Sequence, residues 1–262
     1  MKRMISLGLI TVVIVLVGCE EPQRNIEKQA LIVRNIFNDI GYGDVDIQKA
    51  ITTAGDSIVG LTFYLLEFDT VPAALGQLTS LKRLDLSSGS HTYVPPEFCA
   101  LRNLEQLNLS GNNLRYLPDC FGNLTKLKVL LLDVNKLDTL PESMSNLVNL
   151  EKITLHDNQL RKLPEGIGNW GKIEELNVYN NTLKTFPESI GEMNVKGISA
   201  HHNSLSHLPE SIINLELPEA ISLNHNNLCS ISESVEKWLR SRCSYSHFVE
   251  TQKCLSKPTL RR

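Results

Sequence analysis

Apolar residues recur along this chain at a fixed spacing. A segment whose positions 1, 4 and 6 are mostly apolar occurs eight times. Six of the seven intervals between successive starts have the length of the interval from Leu81 to Leu104, and the seventh interval is one residue shorter. Position 5, between two apolar neighbours, is mostly polar, an alternation that predicts a short strand with one buried and one displayed side. Such a repeat buries its apolar face only against its neighbours, so the pattern predicts a solenoid. The segments begin at Ile58, Leu81, Leu104, Leu127, Leu150, Ile173, Val195 and Pro218.

The clearest unit, residues 104–124, reads LEQLNLSGNNLRYLPDCFGNL. This unit resembles the leucine-rich-repeat family, in the 23-residue class seen in bacterial and Ras-suppressor-like proteins. The resemblance implies an α/β solenoid, with a curved parallel sheet on the concave side and short helical or 3-10 turns on the convex side. It also implies a non-catalytic module that binds a protein on its concave face and needs no cofactor.

Asparagine occupies position 9 of six units. Where the chain turns away from a strand, backbone N–H and C=O groups are left inside, and a stacked column of buried amides can satisfy them. Leu66 and Gly89 occupy this position in the first two units, so the N-terminal end is expected to be frayed or specially capped. The predicted column consists of Asn112, Asn135, Asn158, Asn181, Asn203 and Asn226.

The repeats, residues 58–229, are predicted to lie between two caps. Residues 25–57 form the N-terminal cap, with an amphipathic helix opened by Asn25 and closed by Gly41. Residues 230–262 form the C-terminal cap and tail. The segment from Ser230 to Glu233 is predicted to be a capping box, followed by a covering face of Val235, Trp238 and Leu239.

The segment 1–18 has the pattern of a lipoprotein signal peptide. A basic start is followed by an apolar run too short to span a bilayer, and the run ends in Leu-Val-Gly-Cys at Cys19. This ending resembles a bacterial lipobox, which implies that Cys19 is lipidated and that residues 19–24 form a lipidated linker to the membrane. The alternatives are a signal anchor or an ordinary signal peptide with a chance cysteine. Because Glu20 is not aspartate, the outer membrane is expected over the inner, with a periplasmic or surface orientation left open.

Five cysteines remain after Cys19. An exported protein meets oxidising conditions, so disulfides are possible. A bridge from Cys229 to Cys254 is the preferred hypothesis, with Cys243 as the competing partner of Cys229. In the second and third units, Cys99 and Cys120 either lie near each other or simply fill the convex side as small buried residues.

The displayed strand positions should carry the binding function. In the fourth unit Val129, Leu131 and Val134 surround Asp133, and polar units lie on both sides of this apolar island. An apolar centre with a polar rim is typical of an interface, although an apolar residue at a displayed position also raises strand propensity. The rim carries Gln106, Asn108 and Ser110 on one side and Lys152, Thr154 and Asp157 on the other.

Histidine is concentrated on the displayed side of the C-terminal half. Tyr179, Asn180 and Asp157 accompany the four histidines found there, which are His156, His201, His202 and His225. His202 and His225 lie on adjacent units and could share a metal ion, but two nitrogens alone make a weak site. We therefore predict no metal, and a hydrogen-bonding surface whose charge changes near pH 6.5.

Charge and missing motifs narrow the function further. The net charge is −3, and removal of Lys2 and Arg3 leaves 24 basic against 29 acidic residues, so no basic stripe is available for nucleic acid. Phosphate loops, zinc-protease motifs and nucleophile elbows are missing from the sequence, so no enzyme activity is expected. The sequence favours a monomeric, lipid-anchored protein binder of the cell envelope. The alternative is a surface adhesin or a structural envelope lipoprotein.

Overall fold

The computed structural model describes residues 20–216, 221–229, 231–242 and 251–252, and nine strands within them form one sheet in chain order. Strand β1 pairs antiparallel with β2, and every later pair is parallel. This architecture confirms the predicted α/β solenoid. The strands are β1 Ile51–Ala54, β2 Ser57–Thr62, β3 Arg83–Asp85, β4 Gln106–Asn108, β5 Val129–Leu131, β6 Lys152–Thr154, β7 Ile173–Asn177, β8 Val195–Ser199 and β9 Ile221–Ser222.

The register of the parallel strands follows the repeat. Leu107 pairs with Leu130, and Leu130 pairs with Ile153, each a full repeat further along the chain. The repeat between Leu176 and Ile198 is one residue shorter, and these two residues still pair with each other. These side chains are buried and form one continuous aliphatic column through the solenoid. Each rung therefore depends on its neighbours for burial.

Seven 3-10 helices line the convex side in the described residues. Six of them follow a proline whose φ lies between −61° and −74°, the range that the pyrrolidine ring imposes. The seventh follows Gly166 instead. These helices are Ala73–Gln77, Pro96–Ala100, Asp119–Asn123, Glu142–Asn146, Ile167–Asn169, Glu188–Glu192 and Glu210–Asn214.

A disulfide joins two of the convex helices. Cys99 and Cys120 are bonded, with their Cα atoms 5.9 Å apart. Of the two alternatives left open by the sequence, the structure confirms that these cysteines lie near each other and contradicts two separate side chains, because adjacent units stack closely enough to bring them within bonding distance. Cys229 is also disulfide-bonded. Its predicted partner Cys254, like the competitor Cys243, lies outside the described residues.

The N-terminal cap begins with a helix longer than predicted. Helix α1 spans Glu20–Asp39, so residues 20–24 are helical and the prediction of a separate linker over 19–24 was wrong for them. Asn25 does not open the helix. Its side-chain amide instead donates to the Asp56 carbonyl at 3.1 Å and to the Ser57 hydroxyl at 3.2 Å. The first turns of α1 are thus fastened beside the start of β2.

A hairpin that the repeat pattern did not predict completes this cap. Helix α2, Ile47–Ala50, leads into β1, which pairs antiparallel with β2 and covers the edge of the parallel sheet. An uncovered sheet edge would expose unpaired N–H and C=O groups to other chains. Phe37 of α1 stacks on Phe63 with ring centroids 4.9 Å apart, so the helix closes the apolar core at the same end. The N-terminal end is specially capped.

Helix α3, Glu233–Arg242, closes the opposite end. Its covering face is as predicted, with Val235, Trp238 and Leu239 buried. The predicted capping box was wrong, because the hydroxyl that accepts the Val235 N–H at 3.3 Å belongs to Ser232, and the valine side chain cannot return a hydrogen bond. Ser230 itself lies outside the described residues.

Several sequence predictions concern residues outside the described part of the chain. They are the signal peptide over 1–18, the lipidation of Cys19 and the start of the eighth repeat at Pro218. Among residues 20–216, 221–229, 231–242 and 251–252, no helix combines the length and apolar character needed to cross a membrane.

Candidate functional site

A ladder of buried asparagines supports the edge of the concave face. Asn158 donates from Nδ2 to the carbonyls of Leu132 (2.9 Å) and Leu155 (3.2 Å), and its Oδ1 accepts the Leu137 N–H at 3.0 Å. One amide therefore satisfies backbone groups in two successive rungs. The same pattern repeats at the other predicted positions, which are Asn112, Asn135, Asn181, Asn203 and Asn226.

Two different residues end the ladder, and neither was predicted. His91 is fully buried and its Nδ1–H donates to the Phe68 carbonyl at 2.6 Å, while Gly89 leaves room for the ring. At the other end the Gln252 amide accepts the Leu228 N–H at 3.1 Å and donates to the Leu223 carbonyl at 3.2 Å. A side chain from outside the asparagine pattern thus satisfies the backbone groups at each end.

Acid is expected to destabilise the protein below about pH 6.5. Burial lowers the pKa of His91, against the raising effect of its backbone hydrogen bonds, so the folded protein keeps this ring neutral. The unfolded chain binds a proton at the ordinary pKa, so it holds more protons in this range and the free energy of unfolding falls as pH falls. Thermal unfolding at pH 7.5 and pH 5.5 measures the drop.

The variant His91→Gln isolates this contribution. Glutamine can still donate to the Phe68 carbonyl but does not titrate. We expect its melting temperature to fall less than that of the parent between the two pH values. An equal drop in both proteins would show that the pH dependence arises elsewhere.

Every described repeat turns sharply at position 8. The residues there have φ between 50° and 67°, the left-handed region that costs a non-glycine residue about 1 to 2 kcal/mol. The backbone at Val134 is strained, because valine is β-branched and its φ is 54°. This residue is 52% exposed. The set is Leu65, Ser88, Gly111, Val134, Asp157, Asn180, His202 and His225.

This turn divides the predicted apolar island. Val129 and Leu131 lie on β5 with half-buried side chains that face the concave side. Val134 lies beyond the strand, at the edge where the chain turns, so only Val129 and Leu131 of the predicted island lie on the strand itself. Asp133 separates them and accepts a hydrogen bond from the Thr154 hydroxyl of the next rung.

A groove of about 380 Å³ lies on the N-terminal half of the concave face. It extends from the cap hairpin to the apolar shelf formed by Val129 and Leu131, and sequence reasoning missed it because the hairpin forms one of its walls. Its polar and charged lining is Lys49, Thr52, Thr62, Arg83, Asp85, Gln106 and Asn108.

Two carboxylates flank His156 at the edge of the face. Its Nδ1–H donates to Asp157 at 2.8 Å, and Nε2 lies 3.9 Å from an Asp133 oxygen. Burial acts to raise the pKa of Asp157, but hydrogen bonds from Asn180 and His156 outweigh it and hold the pKa below its ordinary value. Asp157 therefore stays ionised at neutral pH. The predicted site residue Lys152 lies on β6, and its side chain is exposed to solvent.

The predicted aromatic and histidine residues form two stacks. His156 stacks on Tyr179 at 4.5 Å and Tyr179 on His201 at 4.7 Å, while His202 stacks on His225 at 4.3 Å. Burial raises the pKa of Tyr179, helped by nearby carboxylates, and lowers the pKa of His201, helped by the neighbouring histidines. Within the described part of the chain, no three His, Cys, Asp or Glu side chains form a group that could hold a metal ion.

Comparison with known proteins supports the fold. A family model described as a leucine-rich repeat region matches residues 68–158, about a third of the chain. A leucine-rich-repeat protein of Leptospira interrogans is 29% identical with a TM-score of 0.59, over 67% of this chain and 45% of that one. The structure of PEPR1–AtPEP1 is 30% identical with a TM-score of 0.62, over 68% of this chain and 26% of that one.

The plant peptide hormone receptor RGFR1, solved in complex with RGF2, is 25% identical with a TM-score of 0.53, over 68% of this chain and 37% of that one. The chain thus spans less than half the length of each of these three structures. No curated protein matches it. The repeat register, the parallel sheet and these similarities together show that the chain has a leucine-rich-repeat fold.

Proposed function

We propose that this protein is a lipid-anchored, non-catalytic module of the bacterial cell envelope that binds a partner protein on its concave face. The observation that carries this proposal is the groove of about 380 Å³ that ends on the apolar shelf of Val129 and Leu131. An apolar contact surface with a polar surround has the composition of a protein interface. The plant receptor RGFR1, whose fold is similar, was solved in complex with RGF2.

The edge formed by positions 7 and 8 extends the proposed binding face. Asp133, His156 and Asp157 offer charged and hydrogen-bonding groups there, and Tyr179 offers an aromatic ring. These side chains are held by hydrogen bonds and stacking, so a partner meets groups that are already ordered. Less conformational entropy is then lost on binding. The proposed contact surface also includes Lys152, Thr154, Asn180, His201, His202 and His225.

Two features support export and anchoring. Disulfide bonding at Cys99, Cys120 and Cys229 suits an oxidising compartment outside the cytoplasm. Helix α1 begins at Glu20, immediately after the proposed lipidation site, and its rise from there to Asn25 is about 7.5 Å. The proposed anchor would therefore hold the first rung close to the membrane. Outer-membrane attachment, inferred from Glu20, is part of this proposal.

Replacement of Cys19 by alanine is expected to abolish lipidation. The lipobox resemblance implies that the Cys19 thiol carries the lipid, and alanine removes this thiol. Growth of a bacterial expression strain with radiolabelled palmitate, followed by immunoprecipitation, measures incorporation. Label on the parent and none on Cys19→Ala is the expected result, whereas equal label on both would rule out Cys19 as the anchor.

Photo-crosslinking in intact cells tests the binding proposal. A photoreactive amino acid at Gln106, which lines the groove, should crosslink the partner. The control position is Val148, which is 53% exposed and lies between the convex helix Glu142–Asn146 and β6. Crosslinks from Gln106 alone support the proposal. Crosslinks from Val148 alone would move the binding surface off the concave face.

A further inference from the structure

Two cationic side chains stand at the cap end of the groove. Lys49 belongs to the short helix α2, and Arg83 opens strand β3. A Cβ atom added at Gly60 would lie 3.6 Å from Nη2 of Arg83, so the guanidinium extends over this glycine. The same Cβ would lie 3.0 Å from Thr52, which places the guanidinium beside the cap hairpin.

Neither cation is neutralised in the described part of the chain. Other exposed lysines have partners, such as Lys82 with Glu105 at 3.5 Å and Lys196 with Glu174 at 3.1 Å. No carboxylate within the described residues lies within 4.0 Å of the charged groups of Arg83 or Lys49. Asp85 is the one carboxylate that lines the groove, and its Oδ1 accepts the Ser87 N–H and hydroxyl. The lining therefore has two positive charges and one negative charge.

We infer that this groove binds a carboxylate-bearing extended peptide segment of the partner. The carboxylate pairs with Arg83 and Lys49, and an apolar side chain of the peptide rests on Val129 and Leu131. Arginine suits this role because its planar guanidinium can make two parallel hydrogen bonds to one carboxylate. This inference rests on the proposed function and specifies the chemistry of the segment bound.

The length of the groove sets the spacing of these two groups on the peptide. Strands β3 and β5 are two rungs apart, which corresponds to about 10 Å. An extended peptide advances about 3.3 Å per residue, so about three residues separate the carboxylate from the apolar side chain. Gln106 and Asn108 line the floor between them. The Asn108 Oδ1 accepts from Ser110, which leaves its Nδ2 to donate to a peptide carbonyl.

Peptide selection with the purified mature lipoprotein in detergent tests this inference. Three libraries of N-acetylated hexapeptides are used: one with free C-terminal carboxylates and no acidic side chains, one amidated with a single glutamate, and one amidated without acidic residues. Peptides retained on the immobilised protein are quantified by mass spectrometry. We expect at least tenfold enrichment from one or both carboxylate libraries over the neutral library. The library that is enriched identifies the carboxylate as terminal or side-chain.

Arg83→Gln should remove most of this enrichment. The matched control is Arg102→Gln, which makes the same substitution at an exposed arginine just after the convex helix Pro96–Ala100. We expect at least a tenfold loss for Arg83→Gln and less than a twofold change for Arg102→Gln, with parental melting temperatures for both.

Equal retention of all three libraries, equal behaviour of the two variants, or no retained peptide would each overturn the carboxylate inference. The photo-crosslinking result at Gln106 is independent of these outcomes. It shows separately whether the concave face binds protein.

Discussion

Asn158→Ala is expected to lower the free energy of unfolding by about 2 to 6 kcal/mol. The substitution deprives the Leu137 N–H and the Leu132 carbonyl of their partner in the middle of the solenoid. Asn158 is only 8% exposed, so water has little access to these groups. An unpaired buried polar group costs about 1 to 3 kcal/mol, and at least two such groups are created. Chemical denaturation at pH 7.5 measures the change.

The neighbouring amide provides the control for this prediction. Gln159 follows Asn158 in the chain, and its side chain is exposed to solvent. Gln159→Ala should change the free energy of unfolding by less than about 0.5 kcal/mol. Similar losses of stability in the two variants would mean that the asparagine ladder contributes nothing beyond an ordinary surface amide.

The interior of the solenoid was predictable because every repeat has the same physical task. Burial of an aliphatic column requires the spacing seen at Leu107, Leu130 and Ile153, so the sequence pattern and the strand register agree. The asparagine positions follow for the same reason, since each turn leaves backbone groups of the same kind inside. Because the same groups must be buried or hydrogen-bonded in every unit, the same residue types recur at the same positions of the sequence.

The two ends of the solenoid were less predictable, because the residues that close each end do not recur along the chain. His91 and Gln252 complete the ladder from outside the asparagine positions, and no periodicity marks them. Strand β1 of the cap hairpin has only four residues and lies before the first repeat, so its role follows only from the sheet edge that it covers. The Cys99–Cys120 bridge depends on how closely two convex helices stack.

Some residues of the candidate site could likewise be predicted from the sequence, and others could not. Alternation along the strands identified Leu131 and Thr154 as displayed residues, and both face the concave side. The left-handed turn that moves Val134 out of the apolar shelf has no sequence signature at a valine, which disfavours this conformation. Arg83 gave no signal of its own, because its significance depends on Lys49 and the cap wall.

Leu131→Glu is expected to abolish capture of the partner while the isolated protein stays folded. Leu131 is only half-buried on β5, so glutamate at this position remains hydrated in the free protein. A bound partner would have to bury that charge against an apolar surface, and desolvation without a counter-ion is costly. Loss of a hot-spot contact of about 2 kcal/mol or more corresponds to at least about thirtyfold weaker binding.

Leu132→Glu distinguishes loss of binding from loss of folding. Leu132 is fully buried one residue further along the chain, so glutamate there places a charge in the aliphatic column. This variant should melt far below the parent, whereas Leu131→Glu should melt within a few degrees of it. If both variants unfold together, Leu131 is a core residue and its replacement reports on stability alone.

The dissociation constant of the crosslinked partner tests the concave-face proposal most directly. Once identified, the partner is titrated by calorimetry into the parent, into Leu131→Glu and into Val148→Glu, which adds the same charge away from the concave face. The proposal predicts that the dissociation constant rises at least about thirtyfold for Leu131→Glu and stays within about threefold for Val148→Glu. Unchanged binding by a folded Leu131→Glu protein, together with weakened binding by Val148→Glu, would contradict it.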